Sequence, residues 1–154
     1  MKIRLAKKED CLSILPLFKE LDAKHARNSM DVKKEIHLDR YNLLFTNVFK
    51  EESNLILSVA EVNTLVVGFA LAKITQVRNN FIFKDSVIGE VLYVAVHEEQ
   101  KRNGIGRQLM TDMEQRLISK GIDKLELRVY SFNDETLPEK VNYKPKYTVY
   151  EKYM

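Results

Sequence analysis

The segment from Ser86 to Tyr130 constrains this chain more than any other part of it. It opens with SVIGEVLYVAV (86–96), rich in β-branched and aliphatic residues and readable as a strand. The loop Lys101-Arg102-Asn103-Gly104-Ile105-Gly106-Arg107 follows. Leu109, Met113, Leu117 and Ile118 then recur at helical spacing from about Gly104 to Lys120, and Gly121 stands where a helix C-terminal cap belongs. KLELRVY (124–130) alternates apolar and polar positions as a second strand. Strand, helix and strand in this order predict a parallel pair joined by a right-handed crossover.

The rest of the chain supplies partners for that unit. KIRLA (2–6) reads as a short strand. Asp10 is a fair N-cap for a helix to about Ala26, with Leu12, Leu15, Phe18 and Leu21 as its apolar positions. Asn28 to Lys34 is a polar connection. A second helix is predicted over Lys34–Lys50, with Ile36, Tyr41, Leu44, Phe45 and Val48 along one side. Leu55–Val62 and Leu65–Ile74, separated by Asn63-Thr64, read as a hairpin. A polar loop carrying Phe81 and Phe83 leads into the strand at Ser86. The alternation in Lys146–Tyr153 predicts a closing strand. The expected fold class is α/β: a mixed, mainly antiparallel sheet with helices on both faces and one parallel βαβ crossover.

No repeat, low-complexity tract or linker interrupts the 154 residues, so one domain spanning 1–154 is expected. Basic and acidic side chains, 25 against 22, are spread evenly and give a net charge of +3. That pattern lacks the concentrated basic stripe of a nucleic-acid binder. No apolar run approaches the roughly 18 residues of a membrane span, and the N-terminus has no signal-peptide core. No membrane partner is expected, and a cytoplasmic location is. Cys11 has no partner for a disulfide or a CxxC motif and reads as a small helix hydrophobe. His25, His37 and His97 lack metal-ligand spacing, so no metal is expected.

The glycine loop is the feature with chemistry in it. Glycines permit close backbone approach, and the first turn of the helix presents unpaired N–H groups at its positive dipole end. Such a place suits a pyrophosphate, with Lys101, Arg102 and Arg107 adding charge. Two other phosphate motifs fail. The dinucleotide fingerprint requires a third glycine where Leu109 stands, and GxxxxGK[ST] occurs nowhere. A glycine pair that serves only as turn geometry is the remaining alternative.

The stretch GEVLYVAVHEEQKRNGIGRQLM (89–110) resembles the signature of the GNAT superfamily of acyl-CoA N-acyltransferases. Its apolar strand ends in a V-x-V step, and its short turn leads to R/Q-x-x-G-x-G/A at the start of a helix. Lys101 stands where the family usually has Arg or Gln. The element order on both sides extends the resemblance over nearly the whole chain. It implies an acetyl-CoA-dependent N-acetyltransferase whose sheet splays between the parallel strands. Val94 and Val96 would pair their backbone with the pantetheine arm, and the amides of Arg102, Asn103, Gly104, Ile105, Gly106 and Arg107 would wrap the pyrophosphate, with Lys101 beside them. SFND after the last parallel strand resembles the family's pattern and places Asn133 at a pantetheine contact.

Transfer to an amine requires the amine to be neutral. With a lysine-like pKa near 10.4, only about one molecule in a few thousand is neutral at pH 7, so a general base is useful. Glu90, an acid in an apolar strand and at the family's usual distance before the loop, is the candidate; a solvent-facing carboxylate is the alternative. A backbone N–H near Val94 would hold the thioester oxygen's developing charge. The family's A-x-x-x-Y-x-x-x-G-F pattern degrades here to the stretch Thr136–Tyr143. It is about two residues short, and Pro138 stands near the expected tyrosine and should break or delay the helix. Tyr130, Tyr143 and Tyr147 are substitutes for the acid, each also readable as packing, and a thiol with pKa near 8.5 leaves without one.

His25–Glu35, with Phe81 and Phe83, falls where acceptor loops lie in similar proteins. The expected acceptor is a primary amine of a small molecule or protein, attacking acetyl-CoA directly, since no Cys or Ser arrangement suggests an acyl-enzyme. A homodimer is a further expectation from similar proteins. The competing readings are a non-catalytic acyl-CoA-binding or regulatory module and a plain interaction domain.

Overall fold

The structure is a computed structural model and describes residues 1–35, 38–82, 84–130, 133 and 136–152. Five strands form one sheet in the order β1 (Lys2–Leu5), β2 (Leu55–Val62), β3 (Leu65–Val77), β4 (Ser86–Val96) and β5 (Lys124–Leu127). The first four run antiparallel to their neighbours, whereas β4 and β5 are parallel and joined through helix α3 (Ile105–Ser119). The β2–β3 turn uses Asn63 and Thr64 with φ of 48° and 67°. Two successive left-handed residues suit the twist of a tight hairpin.

Both sheet faces are covered, as the period-2 alternation of the strands requires. Leu57, Val59, Phe69 and Leu71 face α1 (Cys11–Asn28) and α2 (Leu38–Val48). Ile56, Ala60, Ala70, Ala72 and Val91 face α3, which buries Ile105, Leu109, Met110, Met113 and Leu117 against them. On the first face Phe18 is the hub. Its ring stacks on Phe69 at 4.3 Å and meets Tyr93 edge-on at 5.5 Å, tying α1 to β3 and β4. On the second face small residues let α3 settle close. A Cβ on Gly89 would come within 2.8 Å of Leu117 and 2.9 Å of Leu125.

The helix faces differ in detail from the sequence expectation. α1 buries Ile14, Leu17, Phe18 and Asp22, while Leu12 is 82% exposed; the buried stripe therefore runs one position off the expected one. In α3, Ile118 is 61% exposed and Met110 takes the inward position. Asp10 precedes α1 without capping it through its side chain. Its carboxylate instead accepts the Lys7 N–H at 2.7 Å and pairs with Arg4, which holds it below the usual carboxylate range. Cys11 is half-buried, and desolvation pushes its thiol pKa up.

Element ends also move. α2 begins at Leu38, with Ile36 and His37 outside the described residues, as is Phe83. β3 continues to Val77, and β5 stops at Leu127 rather than Tyr130. The expected closing strand is a correction: no strand forms among residues 144–152, where Tyr147, Val149 and Tyr150 are exposed. Alternation creates a strand only where a neighbour pairs with it, and although Lys146 reaches Glu126 on the sheet at 2.8 Å, no backbone ladder forms here among the described residues. Pro138 does not prevent a helix. It sits in the first turn of α4 (Thr136–Lys140), where its missing N–H has no helical partner to lose. No helix among the described residues is long and apolar enough to cross a membrane.

Candidate active site

The geometry of β4 creates the opening. In its pairing with β3, Leu71 faces Tyr93 and Ala72 faces Val91, leaving Leu92 unopposed in a β-bulge. The bulge breaks the alternation. Val91 packs toward α3, Leu92 and Tyr93 both pack toward α1 and α2, and Val94 and Val96 return to the α3 side. β5 pairs with β4 only from Ile88 to Val91. Beyond that, Leu92–Val96 has β3 on one edge and no strand on the other among the described residues.

Which backbone groups face that open edge follows from the ladder. The His97 N–H donates to the Val67 carbonyl at 2.8 Å, so His97 and Val67 form a hydrogen-bonded pair. Antiparallel pairs alternate, and therefore Ala95 and Tyr93 direct their backbone groups to β3. The N–H and C=O of Val94 and Val96 point the other way, into the gap.

The glycine loop lies at the end of this edge. Arg102 and Gly104 adopt φ of 64° and 75°, and Gly104 begins α3 without a side-chain cap. A Cβ on Gly104 would meet nothing within 4 Å, and one on Gly106 would sit 4.0 Å from Val96. The Gln108 N–H donates to the Gly104 carbonyl at 3.1 Å. The N–H groups from Arg102 to Arg107 meet no acceptor among the described residues, and α3 aims its positive end at them. Ile105 is buried in the core beneath the loop, which fixes the backbone while leaving its amide outward. Lys101 pairs with Glu98, holding that carboxyl below its usual range. Arg102, Asn103 and Arg107 are exposed, and neither arginine has an ion-pair partner among the described residues.

Glu90 precedes the bulge and faces the α1–α2 side. Its side chain is 19% exposed, and the Arg128 Nε lies 3.0 Å from its Oε1. Lys73 on β3 and Glu126 on β5 are its register partners. Glu126 pairs with Lys146 at 2.8 Å and Lys124 at 3.2 Å, which hold it below the usual carboxylate range.

The comparisons agree with this geometry. Residues 18–138 match the model of the acetyltransferase (GNAT) family. The chain belongs to the GNAT acetyltransferase family. It is 25% identical over 153 residues to an acetyltransferase of Yersinia pestis (strain Pestoides F), covering 97% of this chain and 92% of that protein. Its fold matches a mutant of the BH1408 protein from Bacillus halodurans with a TM-score of 0.88 at 17% identity, covering 100% and 99% of the two chains. It also matches glucosamine-6-phosphate N-acetyltransferase from Arabidopsis thaliana, TM-score 0.73 at 17% identity, over 99% and 97%.

In this GNAT protein the tyrosines expected near the leaving group are scattered. Tyr143 packs on the α3 face, where burial and then the Glu114 carboxylate push its pKa up. Glu90 faces the opposite side of the sheet, so the two do not converge from one face. Tyr147 is exposed beside Lys146, and Tyr130 lies 5.0 Å from the His25 ring. Burial draws His25 below the ordinary histidine value. Asn133 is half-buried after β5, its N–H bonded to the Tyr130 carbonyl at 2.9 Å. His97 only opens the turn before the loop.

One polar network joins residues that no sequence motif links, and Tyr41, expected only on an apolar helix side, belongs to it. Buried Asp22 pairs with Arg40 and accepts the Tyr41 hydroxyl at 2.7 Å, and Arg40 reaches the Tyr93 hydroxyl at 3.1 Å. Desolvation, then Asp22, pushes the Tyr41 pKa up to about 12. The network links α1 and α2 to the bulge. Its signal was present, since Asp22 follows Ile14 and Phe18 at four-residue intervals on the buried stripe. An open concavity of about 520 Å³ lined by Ile3, Gly104, Arg107 and Thr111 lies along the β1 side of α3. It shares only the loop with the β4–β5 gap.

Proposed function

We propose that this acetyltransferase moves the acetyl group of acetyl-CoA to a primary amine, by direct attack with both substrates bound. One observation carries the reading: among the described residues the unpaired edge of β4 leads, through one short turn at Glu98–Gln100, to a loop of acceptor-free amides. An extended amide-bearing arm matches the edge, and a pyrophosphate matches the loop. Val94 and Val96 bind the arm through backbone groups. Arg102, Asn103, Gly104, Ile105, Gly106 and Arg107 hold the pyrophosphate chiefly through amides. Arg102 and Arg107 add charge, while Lys101 contributes less because Glu98 already offsets it. Asn133 closes the far side of the gap.

Acetyl-CoA supplies an activated acyl group, so a nitrogen–carbon bond forms as the carbon–sulfur bond breaks. Glu90 accepts the proton that the amine must lose, and that proton balances the thiolate set free. A backbone N–H beside the bulge, near Val94, stabilises charge on the thioester oxygen. Tyr143, with its pKa raised, is a poor donor to the thiolate, which leaves adequately without one. The enzyme acts as one cytoplasmic domain, alone or as a homodimer.

A non-catalytic acyl-CoA-binding module is the second reading, favoured by the Arg128 pairing that already occupies Glu90. Acetyl-CoA should raise the melting temperature, because a ligand of the native state alone must stabilise it. Thiol release with a panel of primary amines then decides. Turnover with any amine establishes the transferase; stabilisation without turnover leaves the module.

A further inference from the structure

Glu90 enters the proposed reaction already engaged, and the groups around it indicate what could release it. On its face of the sheet, Lys73 stands opposite on β3, and Glu126 and Arg128 stand on the β5 side. Toward α1 and α2, the charged and titratable groups among the described residues include Asp22, His25, Arg40, Tyr41, Tyr93 and Tyr130. The other carboxylates have their own cations: Asp22 has Arg40, and Glu126 has Lys124 and Lys146. Glu90 is thus the anion of Arg128, and the proposed reaction also requires it as a base.

The pair is unevenly exposed. The Arg128 side chain is 74% exposed, whereas that of Glu90 is 19% exposed. An incoming molecule therefore meets the guanidinium first and the carboxylate beneath it. An amine whose remaining part is cationic would be repelled by Arg128 and Lys73, and one whose remaining part is uncharged brings nothing to loosen the ion pair. An acidic group does, because the planar guanidinium fork binds carboxylate or phosphate in two-point fashion.

We propose that Arg128 anchors an acidic group on the acceptor, and that seating this group frees Glu90 to take the amine proton. The acceptor is then a primary amine carrying a carboxylate or a phosphate near its nitrogen. The inference rests on the transferase reading. It joins binding to activation, since the contact that holds the substrate also releases the base.

The test compares thiol release from acetyl-CoA across acidic, neutral and cationic primary amines. The matched set β-alanine, O-phosphoethanolamine and n-propylamine lies at its centre, with amino acids, phosphorylated amino sugars and polyamines around it. The expected result is kcat/KM about 10- to 100-fold higher for acidic amines, the worth of one charge-assisted contact. Whether β-alanine or O-phosphoethanolamine leads separates carboxylate from phosphate. In Arg128→Gln the preference should collapse, mainly through KM for the acidic amine, with KM for acetyl-CoA unmoved, and Arg128→Lys should restore part of it. Neutral or cationic amines turned over as well as acidic ones would overturn the proposal and leave the transferase standing. So would an acidic preference that survives in Arg128→Gln. If no amine of any class is acetylated while acetyl-CoA still stabilises the protein, the transferase reading itself fails, and this inference with it.

Discussion

From Ile88 to Val91, β4 has β3 on one side and β5 on the other, and Gly89 lets α3 press onto it from above. From Leu92 to Val96 the same strand keeps β3 alone among the described residues, and its outward amides and carbonyls face a gap. Apolar packing does not distinguish the halves, since side chains of both pack against the core. One inserted residue, Leu92, and the early end of β5 at Leu127 make the difference. A row of unpaired backbone groups in mid-sheet is costly unless something binds there. The lower half holds the fold together and the upper half is free to hold a ligand.

The largest effect should come at the junction of the halves. Glu90→Gln is expected to lower turnover about 100-fold or more, the usual scale of a general base. The loss should be greatest at low pH, where fewer amines are neutral, with acetyl-CoA affinity nearly unchanged. A pH–rate profile that overlays that of the wild type would remove Glu90 from the mechanism. Next comes the loop that continues the upper half. Gly104→Glu places a carboxylate among the amides and strains a residue at φ 75°. It should weaken acetyl-CoA binding by about 100-fold, comparable to two charge-assisted hydrogen bonds lost. Calorimetry showing wild-type affinity would contradict a pyrophosphate site there.

Two neighbouring prolines sharpen the comparison within the upper half. Ala95→Pro removes an N–H directed to β3 and should cost about 1–3 kcal/mol in a denaturation midpoint. Val94→Pro removes one directed to the gap, so it should cost less stability while weakening acetyl-CoA binding. Equal stability losses would mean that the ladder alternation is misassigned.

These variants rest on features the sequence exposed unevenly. The strand, the glycine loop and α3 were legible because apolar periodicity and two glycines are local signals. The bulge was not, since Leu92 lies within an unbroken apolar run and nothing local marks it as the extra residue. Leu12 and Ile118 fit the helical spacing yet point outward, because the direction of a stripe depends on the sheet beneath it. The 146–153 alternation is real, but no neighbouring strand takes it up among the described residues. Arg128 read as an ordinary polar position of a strand, and only the fold sets it beside Glu90.

The smallest expected effect belongs to the lower half. Glu126 has a folded pKa below its unfolded value of about 4.3, owing first to Lys146 and then to Lys124. Its contribution is fully present above the unfolded value and is lost as pH falls through the lower, folded one. Glu126→Gln should therefore cost a few tenths of a kcal/mol at pH 7 and nothing at pH 2. A penalty that persists at pH 2 would show that packing, not charge, is being measured.

The contrast between the halves is tested most directly by titrating ¹⁵N-labelled protein with acetyl-CoA and following the backbone amides. The account predicts large shifts at Val94, Val96 and Arg102 through Arg107, with Ser86 to Gly89 nearly still. Shifts confined to the α3–β1 concavity, or spread evenly along β4, would contradict it.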